Sequence, residues 1–276
     1  MIDNQLSDGP TGSMRADPPV IFVDADNTLW DTDKVFADAQ IELLRAVEDR
    51  CKVQAKTSDR LIFIRSIDQA LAVRHHLGLR YPARLLIIAT SLVLLGISVE
   101  AAAKKVWAGS KLDEQISEHS IEQIQRRYFE DLAKTPPLLT GVKVGLSSLR
   151  RSGVKIVILT EGHKDRVRGT AVFHEVMQFV DKVIEAKKDR RLFERVLRLV
   201  GNPKIAAMIG DQLASDIIPA AQAGLHTIYI PGGFRPKWED AEAKELADFQ
   251  LDNFLTVPEI FRKLCRDEGI DLPQFG

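Results

Sequence analysis

Short apolar runs rich in Val and Ile recur through the second half of the chain, at 154–159, 179–184, 205–209 and 226–230. Stretches with helical spacing, at about 164–176, 189–200 and 215–223, separate them. This rhythm constrains the fold more than any other feature. A strand that reads as an unbroken apolar run is covered on both faces, and strands joined through helices run parallel by crossover connections. One more run of the same kind, Val20-Ile21-Phe22-Val23, stands far upstream of the others. The sheet therefore draws one strand from the start of the chain and the rest from its second half. What lies between is an insertion.

The intervening region shows no strand-like alternation. From Asp33 to about Arg50 the residues Val35, Phe36, Ala39, Ile41, Leu43, Leu44 and Val47 form a helical stripe. Helices are expected over 58–79, 83–105 and 117–134, punctuated by Gly78, Tyr81-Pro82 and Gly109, with Pro136-Pro137 closing the region. The spacing thus predicts an α/β domain, a doubly wound parallel sheet built from 19–33 and 136–276, with an all-helical insert at 34–135. A short amphipathic helix, Val142 to Arg151, precedes the second strand. Residues 1–18 mix Ser, Asp, Gly and Pro without periodicity; they read as a disordered lead-in, not a secretory signal, because no apolar segment follows a basic start. The most apolar stretch, 85–97, is short of the roughly 20 residues that span a bilayer, and Arg84 and Glu100 bracket it, so a buried helix is expected.

Composition narrows the functional classes. Of 276 residues, 45% are hydrophobic and 28% charged, which suits a globular protein with a sizeable core. A formal net charge of -1 supplies no field for nucleic acid or an acidic membrane, so neither is expected as a partner and any anion binding must be local. Cys51 and Cys265 lie far apart without metal-type spacing; they read as reduced thiols, and a cytoplasmic location follows.

In open parallel sheets, ligands sit beyond the carboxyl ends of the strands. The polar residues of this chain gather there. The first strand runs out into Asp24-Ala25-Asp26-Asn27-Thr28, where two carboxylates two residues apart on extended chain turn the same way. The second ends in Thr160-Glu161-Gly162, the third leads to Lys187-Lys188, and the fourth ends in Gly210-Asp211 with Asp216 five residues on. Carboxylates, a hydroxyl and a lysine on one rim suit a nucleophile, a proton carrier and a hard-cation site.

This ordered series resembles the haloacid dehalogenase superfamily, in its phosphatase branch with a helical cap of the first subclass. Asp24, Asp26 and Thr28 match the first motif, Thr160 the second, Lys187 the third, and Gly210-Asp211-Gln212-Leu213-Ala214-Ser215-Asp216 the fourth. The resemblance implies a Mg2+-dependent phosphohydrolase acting on a small phosphorylated metabolite through an aspartyl-phosphate. Asp24 is then the nucleophile and Asp26 the general acid and base, its backbone carbonyl also a metal ligand. Asp24 and Asp211 hold Mg2+, with Asp216 bearing on the metal or orienting the lysine. Thr160 and the N–H groups of Glu161 and Gly162 bind phosphate oxygens, and Lys187 offsets charge. The insert closes over the rim and selects the substrate.

Several readings stay open. Thr160 and Asp216 also suit helix caps, and Asp31 suits a cap better than a site. Lys187 is chosen over Lys188 because Lys187, Asp189 and Phe193 keep the family's spacing, although Lys188 and Arg190 stand where that family carries prolines. Glu161 replaces the family's Asn or Ser, and its carboxylate is expected to turn away from the anion. Arg74, His75, His76, Arg80 and Arg84 form a basic cluster, read as a solvated face. Trp30 suits packing or a pocket entrance; Lys237-Trp238 has no assigned role. A dehalogenase lacks an acid at the position of Asp26. A phosphomutase uses the same aspartates, and a catalytically idle binding module is the remaining rival. The phosphate ester and the oligomeric state are not legible.

Overall fold

The computed structural model describes residues 17–75, 81–109, 116–233 and 246–273. Most of the lead-in, His76, Gly78, Arg80 and Lys237-Trp238 lie outside the described residues. The chain divides into two units, one formed by Met1–Ala25, Thr140–Ile230 and Ala243–Gly276, the other by Asp26–Leu139 and Pro231–Glu242.

The first unit holds the sheet. Its strands are β1 (Val20–Val23), β2 (Lys155–Thr160), β3 (Lys182–Glu185), β4 (Ala206–Gly210), β5 (His226–Tyr229) and β6 (Phe249–Gln250). All neighbours pair parallel, in the order β3-β2-β1-β4-β5-β6. β1 is central: Val20 lies opposite both Lys155 and Ala206, and Val23 opposite both Ile158 and Ile209. All four residues of β1 are fully buried, as a strand covered on both faces requires. On one face Val20 and Phe22 join Val157, Leu159, Met208, Phe193 and Val196 in a single cluster. Phe193 and Val196 come from α8 (Arg190–Leu199), whose apolar side closes that face. The remaining helices of this unit are α6 (Val142–Arg151), α7 (Lys164–Phe173), α9 (Ile218–Gln222) and α10 (Val257–Asp267). The two-residue β6, joined through Leu251 N–H to Tyr229 O at 2.9 Å, is too short to show any period in the sequence. Because β2 and β3 build out on one side of β1 and the chain then crosses back to place β4 on the other, the crevice for a ligand opens at the carboxyl ends of β1 and β4.

The second unit is helical: α1 (Thr32–Cys51), α2 (Arg60–Ala72), α3 (Ala83–Leu94), α4 (Val99–Trp107) and α5 (Glu118–Leu132). Leu43, Leu44 and Val47 of α1, Ile64, Ile67 and Leu71 of α2, Leu86 and Ile87 of α3, and Ile121 and Ile124 of α5 form its own core. The apolar stretch 85–97 therefore serves burial, and among the described residues no helix is long and apolar enough to cross a membrane. Two expectations need correction. The helix expected over 83–105 is two helices: Gly96 adopts φ +94, which ends α3, and the Ser98 hydroxyl accepts the Ala101 N–H at 3.3 Å to start α4. The division between the units also falls at Ala25/Asp26 and Leu139/Thr140, not at 33/34 and 135/136. The cause is that the two crossing segments pair with each other: Asp31 N–H donates to Pro137 O at 2.8 Å and Leu139 N–H to Leu29 O at 3.0 Å.

No atom stands within 4 Å of the position a Cβ would take on Gly96. Gly96→Ala is thus expected to lower stability through backbone strain alone, by about 1–2 kcal/mol. A urea titration followed by circular dichroism checks this, and an unchanged midpoint would contradict it.

Candidate active site

The site is assembled at the carboxyl ends of β1, β2 and β4, all in the sheet unit. Asp24 continues β1 by one rung, its N–H donating to Ile209 O at 2.9 Å, so its carboxylate is carried on rigid backbone. β4 ends at Gly210, and Asp211 follows. The chain then makes a π turn over Leu213–Ile217, which brings Asp216 back against Gly210. A Cβ on Gly210 would lie 2.3 Å from Asp216 Cγ, so only glycine lets that carboxylate occupy its place. Asp216 is fully buried, and its Oδ2 accepts the Gln212 N–H at 3.0 Å.

The lysine that reaches this cluster is Lys188, and the assignment to Lys187 is corrected. Lys188 is 7% exposed, and its Nζ donates to Oδ1 of Asp24 and Oδ1 of Asp216. Lys187 is exposed. The helix start explains the shift by one residue. Asp189 caps α8, its Oδ1 accepting the Leu192 N–H at 2.8 Å, and Lys188, directly before the cap, is the lysine that turns inward. The family spacing from Phe193 pointed instead to Lys187.

Burial opposes the charge on Lys188, but Asp216 and Asp24 more than offset it and hold its pKa above the ordinary lysine range. The Asp211 pKa is raised as well, which for a carboxyl disfavours the charged form. Burial, then the charges of Asp24 and Asp216, push its pKa well up, and Lys188 relieves this only in part. Its Oδ1 is buried without a hydrogen-bond partner among the described residues. Ligand atoms of Asp24, Asp211 and Asp216 all lie within 4.8 Å of one another. At an effective dielectric of about 20, two unit charges at that distance repel by roughly 3–4 kcal/mol. One ammonium does not neutralise three carboxylates, and the donors are all oxygen. The set fits a hard divalent cation.

The other expected residues divide. Thr160 is buried at the end of β2, and its hydroxyl oxygen accepts the Gly162 N–H at 2.9 Å. That N–H is therefore directed to Thr160, which corrects its assignment to an anion; the Thr160 hydroxyl proton is the donor left to face a ligand. Glu161 does not simply turn outward: its Oε1 accepts the Lys188 backbone N–H at 2.9 Å. In the helical unit, Asp26 Oδ1 accepts from Trp30 Nε1 at 3.1 Å and from the Thr32 hydroxyl, fixing the carboxylate by its own loop. Thr28 and Trp30 are buried, and Asp31 caps α1 through the Lys34 N–H at 2.8 Å. Of the basic cluster, Arg84 pairs with Glu118 on the surface and His75 stacks on Trp107 with ring centroids 5.5 Å apart.

The model of the haloacid dehalogenase-like hydrolase family matches residues 18–224. This chain belongs to that family. It is similar to a glyceraldehyde 3-phosphate phosphatase of Pyrococcus furiosus, 25% identical over 259 residues that cover 91% of this chain and 95% of that protein. A phosphoserine phosphatase of Thermus thermophilus is 33% identical over 114 residues, 39% of this chain and 45% of the relative. A haloacid dehalogenase-like hydrolase of Xanthomonas campestris shares the fold with a TM-score of 0.59 at 16% identity, over 92% of this chain and 99% of that one.

Two measurements test the electrostatics of the haloacid dehalogenase-like site. Lys188→Met leaves the carboxylate cluster without its internal cation and is expected to cost about 3–5 kcal/mol. Lys187→Met, on the surface, should stay within about 0.5 kcal/mol of the parent in the same urea titration. Equal effects would put the wrong lysine inside. A carboxyl with a raised pKa, such as Asp211, keeps its proton to higher pH folded than unfolded, so the cation-free protein loses stability as pH rises toward that folded value. A divalent ion held by ionised carboxylates removes this loss. Calorimetry should show MgCl2 raising the unfolding temperature more at pH 8 than at pH 5, with a gain of about 2.7 kcal/mol at a hundredfold excess over Kd. A larger rise at pH 5 would place the ion elsewhere.

Proposed function

We propose that this protein is a Mg2+-dependent phosphatase that removes phosphate from a small phosphorylated metabolite through an aspartyl-phosphate on Asp24. The observation that carries the reading is the bridge from Lys188 to both Asp24 and Asp216 beside an unpaired Asp211 oxygen. It fixes the orientation of the Asp24 carboxylate and leaves the neighbouring carboxylate ready for a cation. Asp24 and Asp211, with the Asp26 backbone carbonyl, would hold Mg2+, whose charge lets an anionic nucleophile approach an anionic ester. Asp216, both of whose oxygens already accept hydrogen bonds, orients Lys188.

In the first half-reaction an Asp24 oxygen attacks phosphorus and the bond to the ester oxygen breaks. Asp26 gives that oxygen its proton, so the alcohol leaves neutral. Water then attacks the aspartyl-phosphate, Asp26 takes its proton, the bond to Asp24 breaks, and phosphate departs. The hydrogen bonds from Trp30 and Thr32 hold the Asp26 carboxylate in one orientation for both proton transfers. Thr160 holds a phosphoryl oxygen through its hydroxyl proton, and Lys188 balances charge gathered there. The curated relatives, named for glyceraldehyde 3-phosphate and for phosphoserine, support a small monoester as substrate and differ on which one.

With para-nitrophenyl phosphate and MgCl2 the purified protein is expected to release nitrophenol. Asp24→Asn and EDTA should each abolish release, and Asp26→Ala should slow it by about 10²–10⁴-fold. Hydrolysis that persists in Asp24→Asn would end the proposal. A panel of phosphorylated sugars, nucleotides and small acids then identifies the substrate by its kcat/KM.

A further inference from the structure

We infer that Glu161 is a positioning residue for Lys188, holding the lysine loop at the distance from which its ammonium spans Asp24 and Asp216; the inference rests on the phosphatase reading for its kinetic consequences. The loop from Ala186 to Asp189 contains no proline and so has no covalent stiffness of its own. Its restraint comes from hydrogen bonds to the end of β2. Ala186 N–H donates to Thr160 O at 3.0 Å, which extends the strand pairing by one rung. Two residues further, Lys188 N–H donates to Glu161 Oε1 at 2.9 Å. Asp189 then closes the loop by capping α8. Lys188 is therefore pinned at its backbone N–H and at its Nζ, with a flexible four-carbon stem between the two points.

Glu161 suits this task by chemistry and place. It follows Thr160 directly, so the residue that faces a phosphoryl oxygen and the residue that sets the lysine share one stretch of backbone. Its side chain is long enough to reach across from the end of β2 to the lysine loop, and a bond from an amide N–H to a carboxylate is stronger than one to a neutral acceptor. The acceptor works only because position 188 is not proline, which has no N–H to give. The contact also turns the carboxylate toward the loop, which answers how an acid is tolerated beside an anion site. A misplacement of about 1 Å in a charge-balancing group costs up to about a hundredfold in rate. Loss of this one hydrogen bond is on that scale.

The test uses the full chain with para-nitrophenyl phosphate and MgCl2, comparing Glu161→Ala with Glu161→Gln, whose amide oxygen can still accept. Glu161→Ala is expected to lower kcat by about 10–100-fold with KM within about twofold, and Glu161→Gln to restore kcat to within about threefold of the parent. In the protein without substrate, exchange of the Lys188 amide proton, followed by NMR, should quicken at least about tenfold in Glu161→Ala and return in Glu161→Gln. The exchange arm needs no turnover. An inert parent enzyme would therefore overturn the phosphatase reading, while the exchange rates alone still confirm or overturn the positioning role. Unchanged exchange in Glu161→Ala would overturn the inference. So would a fall in KM without change in kcat, which would mean that the carboxylate only repels substrate.

Discussion

Three carboxylates brought to one buried point repel one another, and this fold exists with them there because Lys188 enters the cluster. The parallel sheet creates the difficulty. It aligns the ends of β1 and β4 so that Asp24, Asp211 and Asp216 share one small volume. An ammonium between two of the three reduces the repulsion and leaves a deficit of positive charge at Asp211. That residual deficit suits a hard cation. Stability and chemistry are opposed here, as is usual where charge is concentrated for catalysis.

The supports of this cluster are local turns and side-chain-to-backbone hydrogen bonds. Gly210 is small because Asp216 stands where its Cβ would be. The π turn over Leu213–Ile217 swings Asp216 back toward the strand it has just left, and such turns recur at functional sites. Glu161 and Asp189 fix the lysine loop from either side. None of these devices needs a particular sequence elsewhere, which fits a shared fold at 16% identity with the Xanthomonas campestris hydrolase. The helical unit has an apolar core of its own, supplemented by the Glu48–Arg60 pair and by Asp68, which accepts hydrogen bonds from Gln40 at 3.0 Å and from Tyr81.

Much of this was legible in the chain. β1, β2 and β4 show as apolar runs because burial on both faces removes any alternation. Asp24 and Asp211 show as acids placed directly after such runs. Gly96 was missed as a helix end because the residues around it, Leu94, Leu95 and Ile97, remain apolar and continue the stripe. β6 was missed because a two-residue strand has no period. Adjacent residues of one type carry no local difference, so the spacing to Phe193 favours Lys187 where packing brings in Lys188.

The sequence alone determined the class of fold, the insertion of a helical unit after β1, and the kinds of side chain that meet at the strand ends. These follow from local patterns, since apolar period and residue type need no partner to be read. Only the tertiary structure decided which lysine enters, that Asp216 spends its oxygens on Lys188 and Gln212, and that Glu161 faces a backbone amide. Each of those outcomes depends on the direction of a side chain across a gap between segments distant in sequence. That direction is set by packing and charge in three dimensions, and no spacing along one dimension encodes it.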